Sequence, residues 1–347
     1  MKKNAFISFA AILAGTLTVA ACTTGSQTSS DSSGPESAAS SPTSESAASS
    51  PTSEKTVAIS IYTREIPYYI DMIAGMESAI ADRGLDATFS YANGDPERQF
   101  SDIENAITQA PDGMIVAPID KSALIPAMRK AVDAGITLLT TGNAIEEASQ
   151  SIQLAFVGHD HVETGRIKAQ YIVDSLDGKG TVAMIHAIRG LDFSESQATG
   201  AREVFDSYPG ITVVAEDYTN SFSSDDALAL TQNILTRFPK LDALFYDNDD
   251  LALGGVLAVK ERGLAPDEIL LIGTDGSPAA LESVKAGDMD MTVLLCSYKE
   301  GVTAVNVLAD YLLKGIKPSL PVIRSTPIIV TTSDIEKIMA GLTRNDC

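Results

Sequence analysis

The chain has 347 residues, with 25 Lys plus Arg against 46 Asp plus Glu, a formal net charge of −21. A chain that acidic repels phosphate backbones, which excludes a nucleic-acid partner. Cys22, Cys296 and Cys347 are too few and too scattered for a disulfide framework or a cysteine metal site, and His159, His161 and His186 leave little scope for histidine catalysis.

Lys2 and Lys3 precede an apolar run over residues 5–19, the length of a signal-peptide core and short for a membrane span. The run ends in Val19-Ala20-Ala21-Cys22, which resembles a bacterial lipobox. Residues 1–22 are therefore expected to be a lipoprotein signal, with Cys22 acylated as the mature N-terminus. The alternative is ordinary cleavage with Cys22 incidental. Either way the protein is exported, and the first reading anchors it by lipid to the outer face of the cell membrane. Residues 23–54 are dominated by Ser, Thr, Ala and Pro, and segment 36–44 is repeated as 45–53. Such a composition builds no core and reads as a disordered tether, with a reach of about 30 Å at roughly 5–6 Å × √n. Residues 1–54 hold two of the cations and four of the carboxylates, so the rest still carries −19 of the −21 and the acidity belongs to the folded part.

From residue 55 onward, short β-branched runs alternate with amphipathic segments that end near Gly. Strands are expected over 56–62, 87–91, 113–117, 136–141, 181–186, 211–216, 242–246, 269–273 and 290–295. Helices are expected over 68–83, from Asp95-Pro96 onward, 122–134, 161–176, 195–207, 224–237, 249–262, 277–286 and 298–314. A last extended stretch covers 322–330. About ten βα units exceed what one core of this size accommodates. The fold class is therefore α/β, with two doubly wound parallel-sheet lobes. In such sheets ligands sit beyond the carboxyl ends of strands.

Several chemistries lack their signatures. No Gly-x-Gly-x-x-Gly or Gly-x4-Gly-Lys-Ser/Thr loop is present, nor His-Glu-x-x-His or Gly-x-Ser-x-Gly. His159-Asp160-His161 has no evident third metal ligand, and Asp160 reads better as a helix cap. Asp247-Asn248-Asp249-Asp250 lacks the spacing of a calcium loop and reads as a polar cap. The expectation is no enzyme, no metal and no cofactor.

Over residues 55 to about 333 the chain resembles the type I periplasmic-binding-protein family, specifically the ribose- and galactose-type sugar receptors of ABC transporters. The resemblance rests on Ile61-Tyr-Thr-Arg-Glu-Ile-Pro-Tyr-Tyr69, Ile115-Val-Ala-Pro118, Phe245-Tyr-Asp-Asn-Asp-Asp-Leu-Ala-Leu-Gly254 and Ile272-Gly-Thr-Asp-Gly276. It implies two lobes joined by a three-crossing hinge near 158–160, 295–297 and 321–323. Residues 55–158 plus 297–322 would form the N-terminal lobe, 159–296 plus 323–333 the C-terminal lobe, and 334–347 a tail. It also implies that Tyr62, Tyr68, Tyr69 and Phe222 flank a sugar ring, and that Asn248 and Asp275 bind its hydroxyls.

Departures from the family pattern are equally informative. An Asp-Arg pair is replaced by Gly142-Asn143, a frequent Arg by Gln197, a frequent Asn by Ile66, and two polar contacts by Ala117 and Leu295. Loss of guanidinium anchors implies a more apolar cleft and a less polar sugar, a deoxy-sugar, a polyol or a small non-sugar. Asn143 and Gln197 remain candidate contacts. Glu65, Asp120 and Asp192 lie on the same rim by spacing, with helix capping as the alternative for Asp120. The expected function is a monomeric solute-binding lipoprotein that closes on a small ligand and delivers it to an ABC permease in the membrane. A sensory receptor signalling to a membrane kinase and a nucleoside-type binding lipoprotein are the alternatives. The resemblance also brings Cys296 to the second crossing, where Cys347 could pair with it outside the cytoplasm.

Overall fold

The computed structural model describes residues 54–341. Its first half runs Thr56–Ile61 (β1), Pro67–Arg83 (α1), Asp86–Tyr91 (β2), Pro96–Thr108 (α2), Gly113–Val116 (β3), Ile125–Asp133 (α3), Thr137–Gly142 (β4) and Phe156–His159 (β5). A second series follows with His161–Ser175 (α4), Gly180–His186 (β6), Asp192–Phe205 (α5), Ile211–Tyr218 (β7) and Ser224–Arg237 (α6). It continues with Ala243–Tyr246 (β8), Asp249–Arg262 (α7), Leu270–Asp275 (β9), Pro278–Ala286 (α8) and Met291–Leu294 (β10). The chain closes with Ser297–Lys314 (α9), Val322–Ser325 (β11), Ile328–Thr331 (β12) and Ile335–Gly341 (α10).

The strands form two six-stranded sheets, in the order β11-β5-β4-β3-β1-β2 and β12-β10-β9-β8-β6-β7. All pairings are parallel except β12 against β10. This is the pair of doubly wound lobes that the alternating pattern predicts. Both faces of each sheet are covered. In the C-terminal lobe Ala183 and Ile185 of β6 enter one core while Val182 and Met184 of the same strand enter another, as the two-residue period of a strand requires. Helix starts follow local chemistry: Asp95 accepts the Glu97 and Arg98 N–H groups at 2.9 and 3.2 Å, with Pro96 in the first turn.

Chain crossings between the lobes fall at Asp160, at residues 295–296 and at residues 326–327. The first two coincide with the expected positions. The third lies beyond 321–323, because 322–330 is two strands rather than one. β11 pairs with β5 from Val322↔Phe156 to Ser325↔His159, so residues 322–325 belong to the N-terminal sheet. Pro327, which has no N–H to give a ladder, separates it from β12. Other differences are local. β5 was not among the expected strands, α3 begins at Ile125 rather than 122, and α5 begins at Asp192 rather than 195. The stretch expected as a tail carries α10, which packs on α8 and β12. Cys296 is disulfide-bonded; Cys347, a candidate partner, lies outside the described residues, as do Cys22, the signal and residues 23–53 of the tether.

Candidate ligand-binding site

The carboxyl ends of both sheets face each other across one cavity, with about 360 Å³ of space between its walls, part of it open to solvent. The N-terminal wall comes from the start of α1 and the end of β4. Tyr68 and Tyr69 meet edge to face at 5.1 Å between ring centres, and Tyr69 stacks on Tyr62 at 5.4 Å with planes 10° apart. The Tyr68 hydroxyl donates to Glu300 Oε2 at 2.7 Å. Glu300, in the first turn of α9, also accepts the Thr141 hydroxyl at 2.9 Å and the Gly142 N–H at 2.7 Å, and lies 3.0 Å from His159 Nε2. Burial pushes the Glu300 carboxyl up, but His159 and the Tyr68 and Thr141 hydrogen bonds outweigh it and hold the group below the usual range. Asn143 donates to Pro118 O at 3.1 Å and to the Tyr69 hydroxyl at 3.3 Å.

The C-terminal wall is formed by His161, Leu191, Phe193, Phe222, Asn248 and Asp275. Asn248 caps α7 by accepting the Leu251 N–H at 3.1 Å. Its amide nitrogen lies near the Asp275 carboxylate and favours the ionised form, yet it lacks hydrogen-bond geometry and is a buried donor without a partner. Asp275 ends β9 with φ of 120°, a backbone conformation that is strained for a residue with a side chain. Burial raises its carboxyl well above the usual range, and the Asp249 and Asp250 charges add to the effect.

Behind this wall Lys168 is fully buried. Its Nζ donates to Gln197 Oε1 and the Tyr246 carbonyl, both at 2.6 Å, and to the Thr274 hydroxyl at 2.8 Å. Burial lowers it to about 7 against the pull of Asp247, Asp249 and Asp275. Asp249 moves the opposite way for the same reason, pushed by burial up to about 7 despite hydrogen bonds from Thr292 and Ser277.

Of the residues singled out by sequence, Tyr68, Tyr69, Asn143, Phe222, Asn248 and Asp275 line this one cavity. Tyr62 and Gln197 do not. Tyr62 supports Tyr69 from behind and meets Phe222 edge-on at 5.8 Å. Gln197 spends its amide on Lys168, Thr274 and the Asp247 carbonyl. Glu65 is exposed and outside the lining. Asp120 accepts the Ser122 and Ala123 N–H groups, both at 2.7 Å, and so acts as a cap. Asp192 accepts the Ala144 N–H at 3.2 Å, a bond between the lobes.

Two more bonds cross the same gap: the Phe193 N–H donates to Asn143 Oδ1 at 3.2 Å, and His161 Nε2 lies 3.0 Å from the Gly142 carbonyl. Sequence reasoning missed His161, Leu191, Phe193, Glu300 and Lys168. Ile66, read as a departure, lines the cavity, whereas Ala117 and Leu295 do not. The neighbouring pair His159 and His161 holds no metal cluster; among the described residues no three His, Cys, Asp or Glu side chains are placed to bind an ion. Asp160 accepts the Glu163 N–H at 3.1 Å and caps α4, as its position before that helix predicts.

Two doubly wound lobes with three crossings and a shared cavity are the architecture of type I periplasmic binding proteins. Residues 57–316 match the family described as the periplasmic binding protein domain, and the chain belongs to it. Its members bind solutes and are not enzymes. The chain is 30% identical over 261 residues to the D-allose-binding periplasmic protein of Escherichia coli, covering 73% of this chain and 83% of that one. It is 29% identical over 262 residues to the xylitol-binding protein of Mycolicibacterium smegmatis, covering 75% and 73% of the two chains. Among solved structures, a periplasmic ribose ABC transporter protein from Conexibacter woesei superposes with a TM-score of 0.75 at 41% identity. That match covers 83% of this chain and 96% of the other. No helix among the described residues is long and apolar enough to cross a membrane.

Proposed function

We propose that this protein is the substrate-binding lipoprotein of an ABC importer, which takes a sugar or polyol into the interlobe cleft and closes over it. The observation that carries this reading is the composition of the cavity at the facing carboxyl ends of the two sheets. Aromatic side chains reach it from both lobes, Tyr68 from one and Phe193 and Phe222 from the other, while Asn248 offers an unpaired donor beside the Asp275 acceptor. Aromatic faces bury the C–H surface of a carbohydrate, and a donor next to an acceptor matches adjacent hydroxyls. The relatives named for ribose, D-allose and xylitol support the same ligand class.

Ile66 and Leu191 make part of the lining apolar and no Arg or Lys contributes to it, which favours ligands with an apolar edge. Ligand that touches both walls stabilises the closed arrangement by its differential affinity for it. Acylation at Cys22, the tether and a monomeric state complete the proposal. The permease would recognise the closed form.

A thermal-shift screen of the purified protein against pentoses, hexoses, deoxy-sugars, polyols and nucleosides tests the reading. At 100 times the dissociation constant a ligand adds about 2.7 kcal/mol of stability, which is a shift of a few degrees. A sugar or polyol hit that Asn248→Ala abolishes without unfolding the protein is the expected result. A response to nucleosides alone would replace this reading.

A further inference from the structure

The charge balance of the cavity restricts its occupant further than its shape does. Among the lining residues Asp275 is the one formally charged group. Burial raises the Tyr68 and Tyr69 phenols, so they stay neutral near pH 7. Burial also lowers His161, whose Nε2 is engaged with the Gly142 carbonyl. Around Asp275, α7 presents Asp249 and Asp250, which repel its charge, and α4 presents Lys168, which attracts it. Across the cavity, the Tyr68 hydroxyl donates to Glu300 of α9, and the Glu300 and Asp275 charges both raise its phenol.

Lys168 does not discharge Asp275. Its hydrogens go to Gln197, Tyr246 and Thr274, and its Nζ sits 4.0 Å from the centre of the Phe245 ring. The carboxylate therefore faces the cavity without an ion-pair partner, held by a strained backbone. Four aromatic rings line the cavity with it: Tyr68 and Tyr69 from the N-terminal wall, and Phe193 and Phe222, with centres 6.2 Å apart, from the C-terminal wall. A desolvated carboxylate beside electron-rich ring faces is an environment that favours a cation. The net charge of −21 attracts the same sign from solution.

We infer that the cleft takes an amino sugar or amino polyol, whose protonated amine pairs with Asp275 while a neighbouring hydroxyl accepts from the Asn248 amide. This rests on the carbohydrate-receptor reading and narrows it. A proton balance follows. Where the free protein holds Asp275 protonated, binding of an ammonium group expels that proton to the buffer, and affinity rises with pH until the carboxyl is ionised. A neutral sugar releases no proton from Asp275.

Isothermal titration of the purified protein at pH 7 compares D-glucosamine, D-galactosamine and D-mannosamine, and a set of amino-deoxy polyols, each with its hydroxyl parent and N-acetyl derivative. At least one amine is expected to bind tenfold or more tightly than both of its neutral counterparts. Asp275→Asn is expected to erase that tenfold preference. If the variant does not fold, the wild-type amine-to-parent ratio decides alone. A neutral sugar or polyol that binds at least as tightly as its amine overturns the inference and leaves the receptor reading standing. Silence from every compound, charged and neutral, overturns both.

Discussion

Asp290, just before β10, accepts the Leu271 N–H at 2.7 Å, and burial pushes its carboxyl up to about 6. A raised acid favours the fold in its protonated form. Its contribution is present below the ordinary value of 3.8 and is lost as pH rises through about 6. Asp290→Asn keeps an acceptor for Leu271 and removes the charge. The variant should match the parent near pH 3 and exceed its stability at pH 8 by on the order of 1–2 kcal/mol, allowing for partial exposure. Calorimetry across that range checks it, and parallel pH profiles would contradict it.

Glu300 has the opposite sign. Its carboxyl is held below 4.5, so its contribution is present above that value and lost as pH falls. Glu300→Gln leaves the Tyr68, Thr141 and Gly142 donors with a weaker acceptor beside His159. We expect a loss of roughly 2–4 kcal/mol at pH 7 in urea unfolding. An unchanged midpoint would mean that this buried cluster is not anchoring Tyr68.

At the scale of elements, one device recurs in both lobes. α4 and α5 pack backbone to backbone: a Cβ on Gly165 would lie 2.1 Å from the Gln197 carbonyl oxygen, and one on Gly200 would lie 1.9 Å from that of Val162. In the other lobe, α1 and α9 use Gly75 against Tyr298 and Gly301 against Met72 in the same reciprocal way. Gly165→Ala should therefore force these helices apart and cost about 3 kcal/mol or more. Chemical denaturation measures that loss directly, and a change under 1 kcal/mol would show that the pair relaxes freely.

These helices also explain what the sequence reveals and what it conceals. Asn143, Asn248 and Asp275 stand at strand ends, where open α/β sheets bind ligands, and the family resemblance is what singles them out there. Lys168 shares the buried face of α4 with His161 and Thr164, and its hydrogen-bond partners lie 29, 78 and 106 residues away in sequence, so nothing local marks its burial. Glu300 reads as an acid favoured by the start of α9, and its partners lie 159 and 232 residues away in sequence. β5 is four residues long with two apolar side chains, too short for a periodicity. The third crossing hides in 322–330, where only Pro327 breaks an otherwise continuous extended run.

At the scale of the whole molecule, the two sheets aim their carboxyl ends at one cavity, and few polar contacts bridge it. Phe193 to Asn143, Ala144 to Asp192 and His161 to Gly142 are three hydrogen bonds between the lobes, whose cores are otherwise joined by Ile188 and Phe222 packing against both. Each such bond is worth about 0.5–1.5 kcal/mol, an amount that a ligand touching both walls can exceed. Asn143 joins the lobes while lining the cavity, and Asp192 joins them next to the lining residues Leu191 and Phe193. The central claim is that a small polyhydroxylated solute binds between the lobes. A crystal structure of the complex with the tightest compound from the screen tests it most directly. The account predicts the ligand between Tyr68 and Phe222, with polar atoms in hydrogen-bonding distance of Asn248 and Asp275. A ligand bound elsewhere, or one in the cleft that touches neither residue, would contradict it.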